Sequence, residues 1–294
     1  MTIAAASASS RLPAAAESDP AFIARLRRRV EAVHTILCLG VDPDPEALPG
    51  GWPRDVSGVE RLANLLIDVA APRAAAIKIN VAFFEAFGSA GIAALERVRA
   101  RIPADIPFIA DAKRGDISTT VARQAAALYD SLDAHAVTAS PYLGADAIGP
   151  LLERPDRFVY VLCRTSNPGA AELQNLDIDG EPLYVHVARR AAEWAADRNN
   201  VGLVVGATAP AELERIREAV PQLPLLVPGL GAQSGDVDAV RAFGPATAGD
   251  AASVRGGSLL VNVSRGIAGA ATSGGDPEQA IAAAAERWAA TLQC

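Results

Sequence analysis

Phe108-Ile109-Ala110-Asp111-Ala112-Lys113-Arg114-Gly115-Asp116-Ile117 is a short apolar run that ends in charge. Pro107 punctuates its entry and Gly115 its exit, which reads as a buried strand about five residues long. Side chains alternate across a strand, so Asp111 and Lys113 point the same way. An acid and an ammonium side by side at the mouth of a buried strand are costly unless paired or used in chemistry. A structural ion pair that only fixes the strand end has the same look, but perturbed charges cluster at functional sites. Asp116 adds a second carboxylate from the loop beyond.

Working outward, seven more apolar runs share this character. They are 35–41, which leads to Asp42, then 76–80, 134–138, 158–163, 201–205, 225–227 and 258–263. Helical periodicity lies between them, over about 58–71, 89–101, 184–197, 210–219 and 276–291. Eight strands alternating with helices predict a parallel sheet, and that number predicts a closed (β/α)₈ TIM barrel. The competitor is an open doubly wound sheet, but no strand is followed by a convincing G-x-G-x-x-G turn with a ribose-binding acid. Residues 1–19 are rich in Ala and Ser and read as a disordered tail, leaving 20–294 as a single catalytic barrel domain. A first helix over 20–33 places Phe22, Ile23, Leu26, Val30 and Val33 inward and turns Arg25, Arg27, Arg28 and Arg29 to solvent. Residues 167–183, after a strand's C-terminal end, read as a lid, and the Ala/Gly-rich 243–257 as a surface insertion.

The chain has 294 residues, which suits one barrel of about 250 residues plus extensions. Half of them are apolar and 21% are charged, enough for a large core. The formal charge of 27 minus 34, or −7, argues against nucleic acid as a partner and for a small molecule. Any phosphate must then be captured locally. Cys38, Cys163 and Cys294 are odd in number and widely spaced, which predicts a reducing cytoplasm with neither disulfides nor zinc. No apolar run reaches membrane-spanning length.

In a (β/α)₈ barrel the C-terminal ends of the strands converge on one face. The polar residues expected there are Asp42, Lys78, Asp111, Lys113, Asp116, Ser166, Gln233 and Arg265. Lys78 is the unusual one, a lysine between two isoleucines in mid-strand, where burial is tolerated only if the charge is paired. A lysine that snorkels from an edge is the plainer reading, and the flanking helices speak against it. His34, His135 and His186 fall away from this face, so a lysine must move any proton. The Gly-rich turn Gly229-x-Gly231-x-Gln233-x-Gly235 and Ser264-Arg265-Gly266 sit where such barrels hold phosphate.

Together the parts are specific. D-x-K-R-G-D-I at 111–117 with Thr120, I-K-I-N at 77–80, Asp42, T-S-N-P-G at 165–169, P-G-x-G-A-Q at 228–233 and S-R-G-I at 264–267 resemble the orotidine 5′-phosphate decarboxylase family, in its longer bacterial type 2 subfamily. The resemblance implies a homodimeric barrel that converts orotidine 5′-monophosphate to UMP and CO₂, the last step of de novo pyrimidine biosynthesis, without metal or organic cofactor. It implies that Lys113 protonates C6, that Asp111 sits against the departing carboxylate, and that Lys78 and Asp111 hold Lys113 and reach the ribose. By the same resemblance Asp42 takes a ribose hydroxyl and Ser166 the pyrimidine edge. Pro228, Gln233, Ser264 and Arg265 belong to the substrate-binding turns, with Gln233 and Arg265 gripping the phosphate. Asp116, Ile117 and Thr120 would serve the neighbouring subunit's site.

Two alternatives remain at this stage. A metal-dependent sugar-phosphate decarboxylase or aldol synthase of the same barrel group would need further carboxylate ligands, and the strand tips Thr138-Ala139-Ser140 and Gly206-Ala207-Thr208 supply none. A non-catalytic nucleotide-phosphate-binding protein would have no use for four buried charges.

Overall fold

The computed structural model describes residues 21–195, 198–208, 210–230 and 235–294. The proposed tail at 1–19 lies outside them, and so does Gln233. Eight parallel strands close into a barrel: β1 Leu37–Val41, β2 Ala76–Asn80, β3 Phe108–Arg114, β4 Ala136–Ala139, β5 Phe158–Arg164, β6 Val201–Val205, β7 Leu225–Pro228 and β8 Leu260–Val263. Each pairs with the next in sequence and β8 closes on β1, as short right-handed crossovers dictate. The expected runs 76–80 and 201–205 coincide with these, and the others differ by one or two residues at their ends.

A helix α1, Phe22–Val33, precedes β1. The outer ring follows as α2 Val56–Ala70, α3 Gly88–Arg101, α4 Ser118–Ala125, α5 Ala145–Leu152, α6 Leu183–Ala195, α7 Pro210–Ala219, α8 Val237–Phe243 and α9 Pro277–Thr291. Several starts are set by side-chain caps. Asp55 accepts from the amides of Ser57 and Gly58, Asp236 from that of Ala239, and Asp276 from that of Glu278 ahead of Pro277.

Inward-facing residues follow the two-residue period of each strand. At the N-terminal mouth Cys38, Ala76, Ile109, Ala136, Phe158, Tyr160, Leu226 and Leu260 form an apolar layer, closed from below by Phe22, Leu26 and Val30 of α1. The ring of Phe22 lies 4.9 Å from that of Phe158 and 5.9 Å, edge-on, from that of Tyr160. Two residues farther along the same columns stand Lys78, Asp111, Thr138 and Asn262, now at the C-terminal mouth, with Lys113 two residues beyond Asp111. The plug below and the charges above belong to one inward set.

The solvated arginine face expected of α1 is corrected by this arrangement. Arg25 is buried and donates to the carbonyl of Ala104. Arg29 donates to the carbonyls of Ala71, Pro72 and Ala74 and pairs with Asp105 at 2.8 Å. Because α1 lies across the barrel's end instead of along its side, both of its flanks meet protein, and the arginines bond carbonyls of the segments that follow α2 and α3. Only Arg28 keeps the exposed position. Residues 243–257 also pack more firmly than a loose insertion: Ala246, Ala251 and Val254 are buried, and Arg27 donates to Ser253.

If α1 is part of the core, Phe22→Ala costs about 3–4 kcal/mol in urea unfolding, whereas Arg28→Ala stays within about 0.5 kcal/mol. Equal small effects would show that the helix is an appendage.

Candidate active site

The C-terminal mouth opens into a cavity of about 500 Å³ walled by residues from seven strands and the loop after β5. At its floor the Asp111 carboxylate lies between two ammonium groups. Its Oδ2 accepts from Lys78 Nζ at 2.8 Å, and its Oδ1 accepts from Lys113 Nζ at 2.6 Å. Lys78 also reaches Asp42 Oδ1 at 3.5 Å. Four charges thus alternate in sign in the order Asp42, Lys78, Asp111, Lys113. Burial deepens in the middle: the side chains of Lys78 and Asp111 are 5% and 9% exposed, against 23% for Asp42 and 49% for Lys113. The snorkelling alternative for Lys78 is excluded, since its ammonium is deep in the barrel.

Burial pushes Asp111 towards the neutral form, but Lys78 and then Lys113 outweigh it and hold the carboxyl well below the usual carboxylate range. Burial likewise works against the Lys78 ammonium, and Asp42 and Asp111 outweigh it and hold it above the usual lysine value. Beneath them the Cys38 thiol is pushed up to about 12 by burial, so it is an inert filler of the barrel. His135, away from this mouth, accepts from the Phe108 amide, and burial and nearby arginines pull it down to about 4. It stays a neutral structural acceptor.

The backbone at Lys113 departs from the strand. Its φ is +46°, a left-handed conformation that costs a non-glycine residue about 1–2 kcal/mol. Register with β4 slips here, from Ala110 opposite Val137 to Arg114 opposite Ala139, so residues 111–113 form a bulge. The bulge lifts the Lys113 side chain to the rim while Asp111 stays on the floor.

Of the residues expected at the site, Asp42, Lys78, Asp111, Lys113, Ser166 and Pro228 line this cavity. Ser264 flanks it at the end of β8, its hydroxyl buried and unpaired, where a Cβ on Gly40 of β1 would come within 2.6 Å of the Ser264 Cβ. Arg265 is exposed beyond it, and its side chain makes no hydrogen bond or ion pair among the described residues. Asp116, Ile117 and Thr120 are off this cavity's wall: Asp116 accepts from the Ile117 amide, Ile117 is 61% exposed, and Thr120 is exposed on α4. The wall also holds residues to which the sequence assigns no role, among them Asn80, Thr165 and Asn167, which belong to the quoted motifs, and Thr138, Gln174 and Asn262. Gln174, on a helical turn Ala170–Gln174 of the expected lid, bonds both the amide and the hydroxyl of Thr165, each at 2.8 Å. No helix of the described residues is long and apolar enough to cross a membrane.

Residues 35–284 match the model of the orotidine 5′-phosphate decarboxylase / HUMPS family. The chain belongs to this family. It is 46% identical over 267 residues to an orotidine 5′-phosphate decarboxylase of Thermomicrobium roseum, covering 90% of this chain and 92% of that one. It is 48% identical over 233 residues to the enzyme of that name from Roseiflexus castenholzii, covering 79% and 82%. Among solved structures, the OMP decarboxylase of Leishmania donovani superposes with a TM-score of 0.78 at 38% identity, covering 93% of this chain and 99% of that one. Every motif quoted for the resemblance, from Asp42 to Ile267, falls within the matched span.

The charge set makes stability depend on pH in a defined sense. Asp111 has a folded pKa below its unfolded value of about 3.9, so its contribution is present above that pH and is lost as pH falls through the folded value. Lys78 has the opposite sign: its contribution is present below about pH 10.4 and is lost as pH rises through its raised folded value. In denaturant titrations, wild type should exceed Asp111→Asn by about 3 kcal/mol at pH 7, with the gap narrowing below about pH 4. A gap that stays flat to pH 3 would contradict the ion-paired state of Asp111.

Proposed function

We propose that the chain is a carboxy-lyase that converts orotidine 5′-monophosphate to UMP and CO₂. The observation that carries this is the Asp111 carboxylate held between Lys78 and Lys113 at the mouth of a family barrel. Cleavage of the bond between C6 and its carboxylate leaves an electron pair on C6 with no conjugated sink. A fixed ammonium beside that carbon stabilises the developing charge, and it needs no reorganisation when the charge appears. Lys113 is the half-exposed member of the set, and its ammonium has three donors of which Asp111 takes one. It gives C6 a proton as CO₂ departs and regains one from solvent.

The other roles rest on the resemblance to the family, supported for several of them by their place on the cavity wall. Asp111 faces the substrate carboxylate, and Lys78 keeps Asp111 ionised there. Asp42 takes a ribose hydroxyl, Ser166 the pyrimidine edge, and Pro228 walls the ring. Gln233, Ser264 and Arg265 hold the phosphate, whose binding draws the loop at 166–183 shut and orders the charges. The chemistry uses only side chains of the protein, with no metal or organic cofactor. Both carboxylates on the cavity wall are already committed to lysine, which disfavours the metal-dependent alternative. The non-catalytic alternative is disfavoured by the same set, a costly arrangement for binding alone.

The working unit is a homodimer in which Asp116, Ile117 and Thr120 complete the neighbour's site. Their place off their own cavity supports this, as does the exposure of Ile117 at 61% and Tyr142 at 83% on adjacent loops. The enzyme works in the cytoplasm on a free nucleotide, without nucleic-acid partners.

Purified protein should consume orotidine 5′-monophosphate with EDTA present, and Lys113→Ala should lose at least about a thousandfold in kcat. Absence of wild-type turnover, or its loss to EDTA, would overturn the assignment. Mixing inactive Lys113→Ala and Asp116→Ala chains tests the shared site. Mixed dimers carry one intact site, so about a quarter of wild-type activity should return. No recovery after subunit exchange would place Asp116 in its own chain's site.

A further inference from the structure

We infer that Thr138 is a positioning residue for the catalytic lysine, an inference that rests on the decarboxylase reading above. Thr138 belongs to β4 and is 1% exposed. Its hydroxyl makes two bonds, each to a different part of the charge set. It donates to Asp111 Oδ1 at 2.8 Å and accepts from the Lys113 backbone amide at 2.9 Å. Asp111 Oδ1 in turn accepts from Lys113 Nζ at 2.6 Å. The contacts close a ring: Lys113 amide to Thr138 hydroxyl, hydroxyl to Asp111, and Asp111 to the Lys113 ammonium.

The ring sits where the sheet stops supplying bonds. Between the pairs Ala110–Val137 and Arg114–Ala139 the β3 chain carries extra residues, and the Lys113 amide has no ladder partner. A buried amide left unpaired is disfavoured, and the Thr138 hydroxyl takes the place of the missing carbonyl. It thereby ties down the one residue of β3 whose φ is positive, +46°. The same hydroxyl donates a hydrogen bond to the carboxylate that orients the ammonium, so one hydroxyl sets both the backbone and the side chain of Lys113. Threonine suits the task because its β-branched χ1 is stiff and its methyl can pack in the wall.

This role predicts a particular split. Thr138→Val keeps the shape and the methyl but can neither donate to Asp111 nor accept from the Lys113 amide. Thr138→Ser keeps the hydroxyl. UMP lacks the C6 carboxylate, so its binding is a readout of the cavity apart from the reacting centre. Thr138→Val should lower kcat about ten- to hundredfold, the size of a lost hydrogen bond to a charged group. KM for orotidine 5′-monophosphate and the calorimetric Kd for UMP should stay near wild type. Thr138→Ser should restore kcat to within about threefold of wild type.

A Thr138→Val enzyme with wild-type kcat would overturn the inference. So would a parallel fall in kcat, UMP affinity and melting temperature, which is the mark of a residue that only supports the fold. If the wild-type protein itself shows no turnover, the decarboxylase reading fails first, and this inference falls with it.

Discussion

The structure of the mouth depends on one carboxylate accepting from two ammonium groups in the interior of a protein. Asp111 would be neutral if it were buried alone, and Lys78 would shed its proton if it were buried without acids. Each is ionised because of the other, with Asp42 and Lys113 extending the alternation at either end. A set of this kind is fragile as a source of stability, since its attraction mostly offsets the desolvation of its members. Its value lies in arrangement. The charges are fixed before any ligand arrives, and the middle two are largely kept from bulk water.

The barrel holds that arrangement by simple periodicity. Side chains on alternate positions of eight strands point to one axis, so one column can carry an apolar residue low and a charged one high. Ala76 and Lys78 share a column, as do Ile109 and Asp111, or Leu260 and Asn262. The lower layer, sealed by Phe22 and its neighbours on α1, keeps solvent from entering beneath Lys78. The helix that stabilises the bottom therefore also sets the dielectric in which the top works. The arginines of α1 belong to the same function, because they fasten the plug to carbonyls at the barrel's edge.

The strands, their order and the main charges were legible in the sequence because each is a local signal: an apolar run, a charge at its end, a glycine beyond. Lys78 in I-K-I-N is the clearest, since the flanking helices leave no edge from which a lysine between two isoleucines could snorkel. What escaped depends on relations between strands. Thr138 and Asn262 look like ordinary strand residues; only the parity of β4 and β8, counted from Asp111 through the register, turns them to the axis. Arg25 and Arg29 were misread because helical periodicity marks one buried stripe, and α1 is covered on more than one. The bulge at 111–113 had no signal in the string at all, since nothing there is glycine and Lys113 takes the left-handed conformation against its propensity.

That last point bears on how such a site holds its shape. A lysine with φ of +46° persists only where its surroundings over-determine it. Here the surroundings are two: the ion pair at one end of the side chain and a hydroxyl at its backbone amide. A glycine at this position would remove the backbone strain and with it the ammonium, so the strain comes with the chemistry. A regular strand would avoid the strain as well, but would send Lys113 along the wall at the pitch of the sheet. The extra residues of β3 let the floor carboxylate and the rim ammonium come from one short segment, 2.6 Å apart. A segment whose two charged groups restrain each other leaves little for the substrate to organise beyond the loops that close over it.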